Sequence, residues 1–596
     1  MSSVLQLLSA LSTSSECAEI SFAHLDQFIH FARHLQPEIS LGTLKSDTPP
    51  TSLPEHVQVF LSRTLEMPIS TIVSLWSSLR QYIWGIPQPH ITLLECSLFN
   101  EHGSQLPKKH EKIAFYMFYP PHTRCPCCNS VLTSISHIAA TYFTRDGPFP
   151  AYSTSLRCKA GSCNIRYYLN FSVDLSLNLR QYYDQPLPEI IHLKEHSFIQ
   201  TAVSELFTAC TLFAWVSAQN CALIYNHALS SYGHEEVSES KFMLTSTQVW
   251  RAFVLVSLLK NWRERGRQLT MQNHGQPERL HACDTCKKLI PSDLPNSYKE
   301  LRSLCAVVMD GVTIGHPCCK VHNCTQPLPN NRHQWSRSGH RTCSEPDHSK
   351  YEDYRNLKGK GFFLLRQRLQ RAGIHQPSTS LSSFSPLESL EFELDVDSDE
   401  QDLMHKSDKG NWPSKAFFAR RRTHNAQLVV CACGIISARA TMFGAEAISG
   451  VKDFLKSVYP NRNDLPDVIF YDNNCHLQSH LQAQQDLFFR GTMLPVDVFH
   501  FKSKHKESDE FCQKHCNPLQ WTELVGDNGE WVFNSSAAEQ GNVWIGGYQA
   551  IVHEMLPHNY NFFLDEMIKR RNEVLVAKLR RAGNAPYRIP PYPAVL

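Results

Sequence analysis

Three things are scarce in this sequence, and each closes off a reading. Net charge is nearly absent: 58 Lys and Arg stand against 56 Asp and Glu, leaving +2 over 596 residues. So small a balance says nothing about nucleic acid, and any DNA-binding surface must be local. A long unbroken apolar run is also missing. The most apolar stretch, Leu206 to Tyr225, is interrupted by Gln219 and Asn220. A membrane span needs about 20 consecutive apolar residues, so this stretch reads as a buried helix and no membrane partner is expected. The opening MSSVLQLLSALSTSSEC has no positive n-region, and polar residues break its apolar run. The expected setting is intracellular and reducing, where paired cysteines more often bind metal than form disulfides.

Cysteine and histidine are abundant, with 21 and 30 residues. Many cysteines sit at short spacings, as in Cys125/Cys128, Cys283/Cys286, Cys319/Cys324 and Cys512/Cys516. At roughly 100–200 residues per domain, about three to five units are expected. Residues 1–115 read as helical, with leucines at mixed three-and-four spacing. Residues 116–173 hold Cys125-Pro-Cys-Cys128 and Cys158-Lys-Ala-Gly-Ser-Cys163 around a β-rich segment. Two cysteine knuckles on hairpins describe a zinc ribbon: each tight turn offers two thiolates, and the metal joins hairpins too small to bury a core. Residues 174–280 read as helical and include Thr247–Arg267, an apolar-periodic run with a basic end that would suit a DNA-facing helix. Residues 376–413 are rich in Ser, Pro, Asp and Glu and are expected to be a disordered linker.

The chemistry lies in segments 281–375 and 414–596. Cys305-Ala-Val-Val-Met-Asp310 and Asp467-Val-Ile-Phe-Tyr-Asp472 are apolar strands that each end in an aspartate, and Glu539 falls in the first turns of a later helix. Two strand-end carboxylates and a helix carboxylate are what a ribonuclease-H-like α/β core, a mixed sheet with flanking helices, uses to hold two divalent cations. Hard oxygen ligands suit Mg²⁺ or Mn²⁺. Gln427–Gly434 and Ile435–Thr441 read as paired strands, Ala445–Val458 and Asn474–Gln485 as helices, and Met493–His500 as a further strand. His500, His505, Cys512 and Cys516 lie within seventeen residues and can close a tetrahedral zinc site, with His476 and His515 as spares. The alternative is that His500 buttresses the catalytic strand through hydrogen bonds. A second cluster inserted after Asp310 offers Cys319, Cys324, Cys343 and His348, with Cys283 and Cys286 just upstream. Cations for DNA phosphate are offered by Arg420, Arg421, Arg422, Lys502 and Lys504.

Five segments in order, AVVMDGVTIGH, LVVCACGIISARATMFGAEA, VIFYDNNCHL, VDVFHFKSKHKESDEFCQKHCNP and FNSSAAEQGNVWIGGY, resemble the transposase region of Kyakuja–Dileera–Zisupton (KDZ) elements. The two cysteine-rich units resemble clusters that accompany those transposases. The resemblance implies a DDE-type transposase that cuts and joins DNA. Its acids fall on Asp310, Asp472 and Glu539, with two catalytic Mg²⁺ or Mn²⁺ ions and structural Zn²⁺. The implied partners are transposon ends, target DNA and further copies of the chain, in the nucleus. Asp497-Val-Phe-His500 is similar to an Asp/Cys-x-x-His signature that several transposase superfamilies place after the second acid. The second cluster departs from the family. The sequence runs from Pro329-Asn-Asn-Arg-His straight to Gln-Trp-Ser-Arg-Ser-Gly-His340, where the resemblance implies a further cysteine- and histidine-bearing block. That shortening puts the metal complement in question. It leaves open a catalytically inactive or domesticated descendant that serves as a zinc-binding DNA- or protein-binding factor.

Overall fold

A computed structural model describes residues 20–40, 48–84, 97–108, 111–160, 163–183, 186–194, 196–229, 242–264, 276–291, 301–321, 324–328, 341–358 and 422–589, with isolated residues between them. The chain divides into two compact units, Met1–Leu269 and Thr270–Leu596. No described helix is long and apolar enough to cross a membrane.

The first unit opens with helices α1 (Phe22–His34), α2 (Gln36–Ser40), α3 (Glu55–Thr64) and α4 (Ile69–Ile83). Ser21 caps α1 by accepting the His24 backbone N–H at 3.2 Å, which satisfies one of the orphan donors of the first turn. α4 buries Ile72, Leu75, Trp76, Leu79 and Ile83, a three-and-four spacing that lays one stripe against Phe28, Phe31 and Phe60. A mixed sheet follows: β1 (Tyr116–Phe118), β2 (Leu132–Thr144), β3 (Gly147–Cys158), β4 (Ile165–Tyr167), β5 (Phe171–Asp174), β6 (Leu179–Tyr182), β7 (Ile190–Lys194) and β8 (Ser197–Gln200). Its order is β6-β5-β4-β3-β2-β8-β7, with β1 parallel to β3. Residues 174–280 read as helix in the sequence, yet β6 is a strand paired with β5, and β7 and β8 are strands as well. The parallel pairing of β8 with β2, through Thr141 to Ser197, recruits the latter two, and no local periodicity announces it. Helices α5 (Thr201–Ala214), α6 (Ala218–Ala228) and α7 (Ser246–Glu264) bury Val203, Phe207, Tyr225, Val249 and Val256 together.

The second unit is built on β11 (Leu301–Val312). The short β9 (His281–Ala282) and β10 (Lys287–Pro291) precede it, and β10 pairs with its first half. Its second half lies between β14 (Asn425–Cys431), antiparallel, and β16 (Val468–Tyr471), parallel. β15 (Ile436–Met442) pairs with the other edge of β14. On the far side of β16, Met493 and Pro495 accept the Ile469 and Tyr471 backbone N–H groups at 2.9 and 3.2 Å. Two of these strands are buried at every residue, since both faces are covered: the apolar β16, and β14, which carries the buried amides Asn425 and Gln427 among apolar side chains. Helix α8 (Pro346–Lys358) follows β11. Then come α9 (Ile448–Val458), α10 (Asn474–Ala483), α11 (Val498–Lys504), α12 (Glu510–Cys516), α13 (Ala537–Gly546) and α14 (Pro557–Arg581). α14 is tied to β15 by polar groups: Arg439 meets Asp565 at 2.9 Å, and Asn572 brackets Ile436 with bonds of 3.0 and 2.8 Å. β17 (Tyr587–Arg588) pairs back onto β9.

Two expectations shift here. Met493–His500 is strand-like only at its start, because Asp497 caps α11 and turns the chain into helix. The sequence from about Ser535 reads as one long helix, but Glu539 lies on the ten-residue α13, and the long helix is the later α14. The acidic segment 376–413 lies outside the described residues apart from β12 (Leu394–Asp395), which pairs in parallel with β13 (Ala416–Phe417).

Candidate active site and metal centres

Because β11 and β16 are parallel and Met309 pairs with Tyr471, the next residues along each strand are Asp310 and Asp472. Adjacent strands lie about 4.8 Å apart, so the two carboxylates leave the sheet side by side at one edge. Asp310 accepts the Gly311 N–H at 2.7 Å and the Asn542 amide of α13 at 2.7 Å. Asp472 keeps one buried oxygen, Oδ1, without a hydrogen-bond partner among the described residues. Burial, together with the charges of Asp472 and Glu446, pushes the Asp310 carboxyl up to about 6. Burial and Glu446 likewise raise Asp472.

Glu539 stands one helical turn before Asn542 on α13 and so faces the same edge. Its Oε1 is 3.7 Å from His500 Nε2, while His500 Nδ1 donates to Asp497 Oδ2 at 2.6 Å. Asp497, His500 and Glu539 each offer a ligand atom within 4.8 Å of the others. His500 also acts electrostatically on both Asp310 and Asp472, which joins the two halves of the cluster.

The sequence reading missed Glu446. It sits between β15 and α9 and accepts the Tyr471 hydroxyl at 2.6 Å and the Asn425 amide at 2.7 Å. Its only signal was an acid at the end of a hairpin, just before a helix. Gly311 makes room for this arrangement: a Cβ there would lie 2.4 Å from Asn425 Nδ2 and 3.0 Å from Glu446 Oε2.

The cysteines gather into separate groups. Cys125, Cys128, Cys158 and Cys163 place their sulfurs within 4.8 Å of one another, with Cys125 to Cys163 at 3.6 Å and Cys128 to Cys158 at 3.3 Å. A tetrahedron with metal–sulfur bonds of about 2.3 Å has edges of about 3.8 Å, so the set fits zinc. Burial opposes ionisation of Cys125, but the Tyr167 hydroxyl at 3.1 Å and the Cys127 and Cys128 backbone bring its thiol down to about 6. Cys127 is exposed and takes no part.

Cys319, Cys324, Cys343 and His348 form a second complete set despite the shortened middle of that cluster. His348 Nδ1 is 3.7 Å from Cys319 and 3.0 Å from Cys343. Buried Glu352 fixes the strip beside Cys343 by accepting the Arg341 and Thr342 backbone N–H groups at 2.7 and 3.1 Å. His322, His333 and His340 lie outside the described residues.

The grouping of His500 with His505, Cys512 and Cys516 does not form. His500 lies within α11, whereas His505 is the residue after its last turn, where the backbone becomes extended, so the two side chains leave in different directions. His505 instead meets Cys512 at 3.1 Å and Cys475, on α10, at 3.5 Å. These three side chains come together, with Cys475 and Cys512 joined as a disulfide here; they could hold a metal only with both sulfurs reduced to thiols. Cys516 packs with Val496 in the apolar cluster beneath. The His505 Nε2–H donates to the Asp472 carbonyl at 3.0 Å, so this group buttresses the acid loop. Cys283 and Cys286 do not join the Cys319 set but gather with His281 and Cys433.

Of the basic residues, Arg420 and Arg421 lie outside the described residues. Arg422 donates to the His553 carbonyl at 3.2 Å and lies 3.7 Å from Glu554. Lys502 and Lys504 are exposed on α11, and Lys504 acts on Asp472.

Together these features define a mixed α/β protein with a carboxylate cluster at one sheet edge and several cysteine-rich metal groups. Residues 113–229 match the family model described as a CxC5 like cysteine cluster associated with KDZ transposases. Residues 308–338 match that of a CxC6 like cysteine cluster associated with KDZ transposases. These two matched stretches support a KDZ transposase-like protein. Neither a curated protein nor a solved structure matches it.

Proposed function

We propose that this chain is a DDE-type DNA transposase that cleaves and transfers DNA strands in the nucleus as a homo-oligomer, with Asp310, Asp472 and Glu539 as its acids. The observation that carries this reading is the parallel register of β11 and β16, which sets Asp310 beside Asp472 at the edge faced by Glu539. The order of the sheet supports a ribonuclease-H-like core: an antiparallel trio β15–β14–β11, then β16 and the Met493 segment in parallel.

The residues fit hard divalent cations. Carboxylates of Asp310, Asp472, Glu446 and Glu539 crowd one edge, and a buried Asp472 oxygen has no hydrogen-bond partner among the described residues. Bound Mg²⁺ or Mn²⁺ would supply activation of the attacking oxygen and stabilisation of the leaving one. The protein's own groups position these acids. Asn542 orients Asp310, Tyr471 and Asn425 hold Glu446, and Asp497 fixes the His500 tautomer so that Nε2 faces Glu539. Lys502 and Lys504 stand exposed to meet phosphate.

The test is a cleavage assay with the full chain, Mg²⁺ or Mn²⁺, and DNA carrying the terminal repeats that flank its gene. Native protein should nick the repeat ends. Asp472→Asn, nearly isosteric but uncharged, should abolish nicking and leave DNA binding within about twofold, because affinity comes from cation–phosphate contacts. Binding without cleavage, unchanged in the Asn variant, would replace this reading with that of a transposase-derived binding factor.

A further inference from the structure

A metal group outside both family-matched stretches has its own architecture. β9 leads into the knuckle Cys283-Asp-Thr-Cys286, where the Cys286 and Lys287 N–H groups both donate to the Cys283 carbonyl, at 3.1 and 2.9 Å. The two sulfurs stand 3.6 Å apart, and the Cys283 N–H points at the Cys286 sulfur at 3.2 Å. Facing them is the tight turn between β14 and β15, closed by Gly434 N–H to the Cys431 carbonyl at 2.8 Å. Gly434 has φ +91°, a conformation that favours glycine, and this lets the turn present Cys433 toward the knuckle. His281, Cys283, Cys286 and Cys433 all offer ligand atoms within 4.8 Å of one another. His281, Cys283 and Cys286 are buried, and His281 Nε2 has no hydrogen-bond partner among the described residues. The neighbouring Cys431 sulfur is engaged by the Ser437 hydroxyl at 3.2 Å.

We propose that His281, Cys283, Cys286 and Cys433 bind one structural zinc ion that pins the β14–β15 turn to the segment entering the core. Three thiols and an imidazole are borderline-soft donors that select Zn²⁺ over the hard cations suited to the acid cluster. Paired thiols buried without a metal would have only weak S–H hydrogen bonds to offset their desolvation. The site also secures the segment carrying β17. β17 pairs with β9 through Tyr587 to Ala282 and Arg588 to His281, and the Asp284 N–H donates to the Asn584 carbonyl at 3.1 Å. One ion thus organises three segments separated by some hundred and fifty residues each. It also holds the end of β14 whose Leu428 pairs with Asp310. The proposal is independent of the transposase reading.

The experiment measures zinc per full-length chain by mass spectrometry, with thermal melting alongside. Cys433→Ser and Cys283→Ser should each hold one equivalent less than native protein and melt lower. Cys433→His should restore the equivalent, and Cys431→Ser should keep it. In native protein, half-buried Cys433 should be alkylated only after zinc is chelated, a readout that needs no variant to fold. Full zinc content in Cys433→Ser, loss in Cys431→Ser, or alkylation of Cys433 in the zinc-loaded chain would each overturn the assignment.

Discussion

At the scale of single residues, the acid cluster is a place where charge is stored against its own interest. Asp310 is buried beside Asp472 and Glu446 and titrates near 6 rather than at its ordinary 3.8. The folded chain therefore binds that proton more tightly than the unfolded one, so this group's contribution to stability falls as pH rises from about 4 to about 6 and stays low above. Asp310→Asn should accordingly stabilise cation-free protein at pH 7.5, by on the order of 1–3 kcal/mol, while destroying cleavage. Mg²⁺ should raise the melting temperature of native protein but not of the variant; a variant that melts lower than native without cations would count against the repulsion. Glu38, in the first unit, behaves oppositely. Burial opposes its charge, yet His56 at 2.7 Å, His137 and the Tyr119 hydroxyl hold its carboxyl below the ordinary value. Its stabilisation is present above the unfolded carboxylate range and is lost as pH falls through the lower folded value. Glu38→Gln should cost roughly 1–3 kcal/mol at pH 7, and the gap from native should narrow as urea melts are taken below pH 4.

At the scale of elements, α11 decides what His500 within it and His505 at its C-cap do. Its N-cap, Asp497, accepts the His500 backbone N–H at 3.0 Å and the ring Nδ1–H at 2.6 Å. This commits His500 to the acid cluster and leaves His505 to face Cys475 and Cys512. His500→Asn should therefore keep the native zinc content and lower cleavage at least tenfold, whereas loss of a zinc equivalent would return His500 to the ligand set. The close approach of β11 and β14 makes a second prediction. Gly311→Ala would drive a methyl group to within 3.0 Å of both the Asn425 amide and Glu446. Displacing a buried polar pair in this way should cost about 1–3 kcal/mol and impair cleavage with little change in DNA binding, measured by melting and by a binding titration. Much of this level was legible in advance. β11 and β16 were legible as apolar runs, β14 and β15 as paired strands, and α9 and α10 as helices, because these signals are local. β7 and β8 were not, since short strands that follow a long β-rich region take their identity from the strand they pair with.

At the scale of the whole molecule, each unit carries cysteine-rich metal groups, and the apolar cluster around the first is small: Cys125, Leu132, Leu156, Cys158 and Tyr167. A strong zinc chelator should therefore open this module before the helical core around Phe31 and Phe60 melts, read as faster amide exchange along β3 and β4 at a temperature where α4 stays protected. Uniform exchange through both regions would show that the metal is not what holds the module. The sequence by itself determined the knuckles at Cys125/Cys128 and Cys283/Cys286, the apolar strands that end in Asp310 and Asp472, and the resemblance to KDZ transposases, since spacing and hydrophobic pattern are written within a few residues. Only the tertiary structure decided which cysteines share a group and that Glu446 joins the acids. It also set His500 apart from His505, and Asp310 beside Asp472 across 162 residues of chain. Those choices follow from strand register and from where elements end, which are fixed by packing between distant segments and leave no trace in local composition.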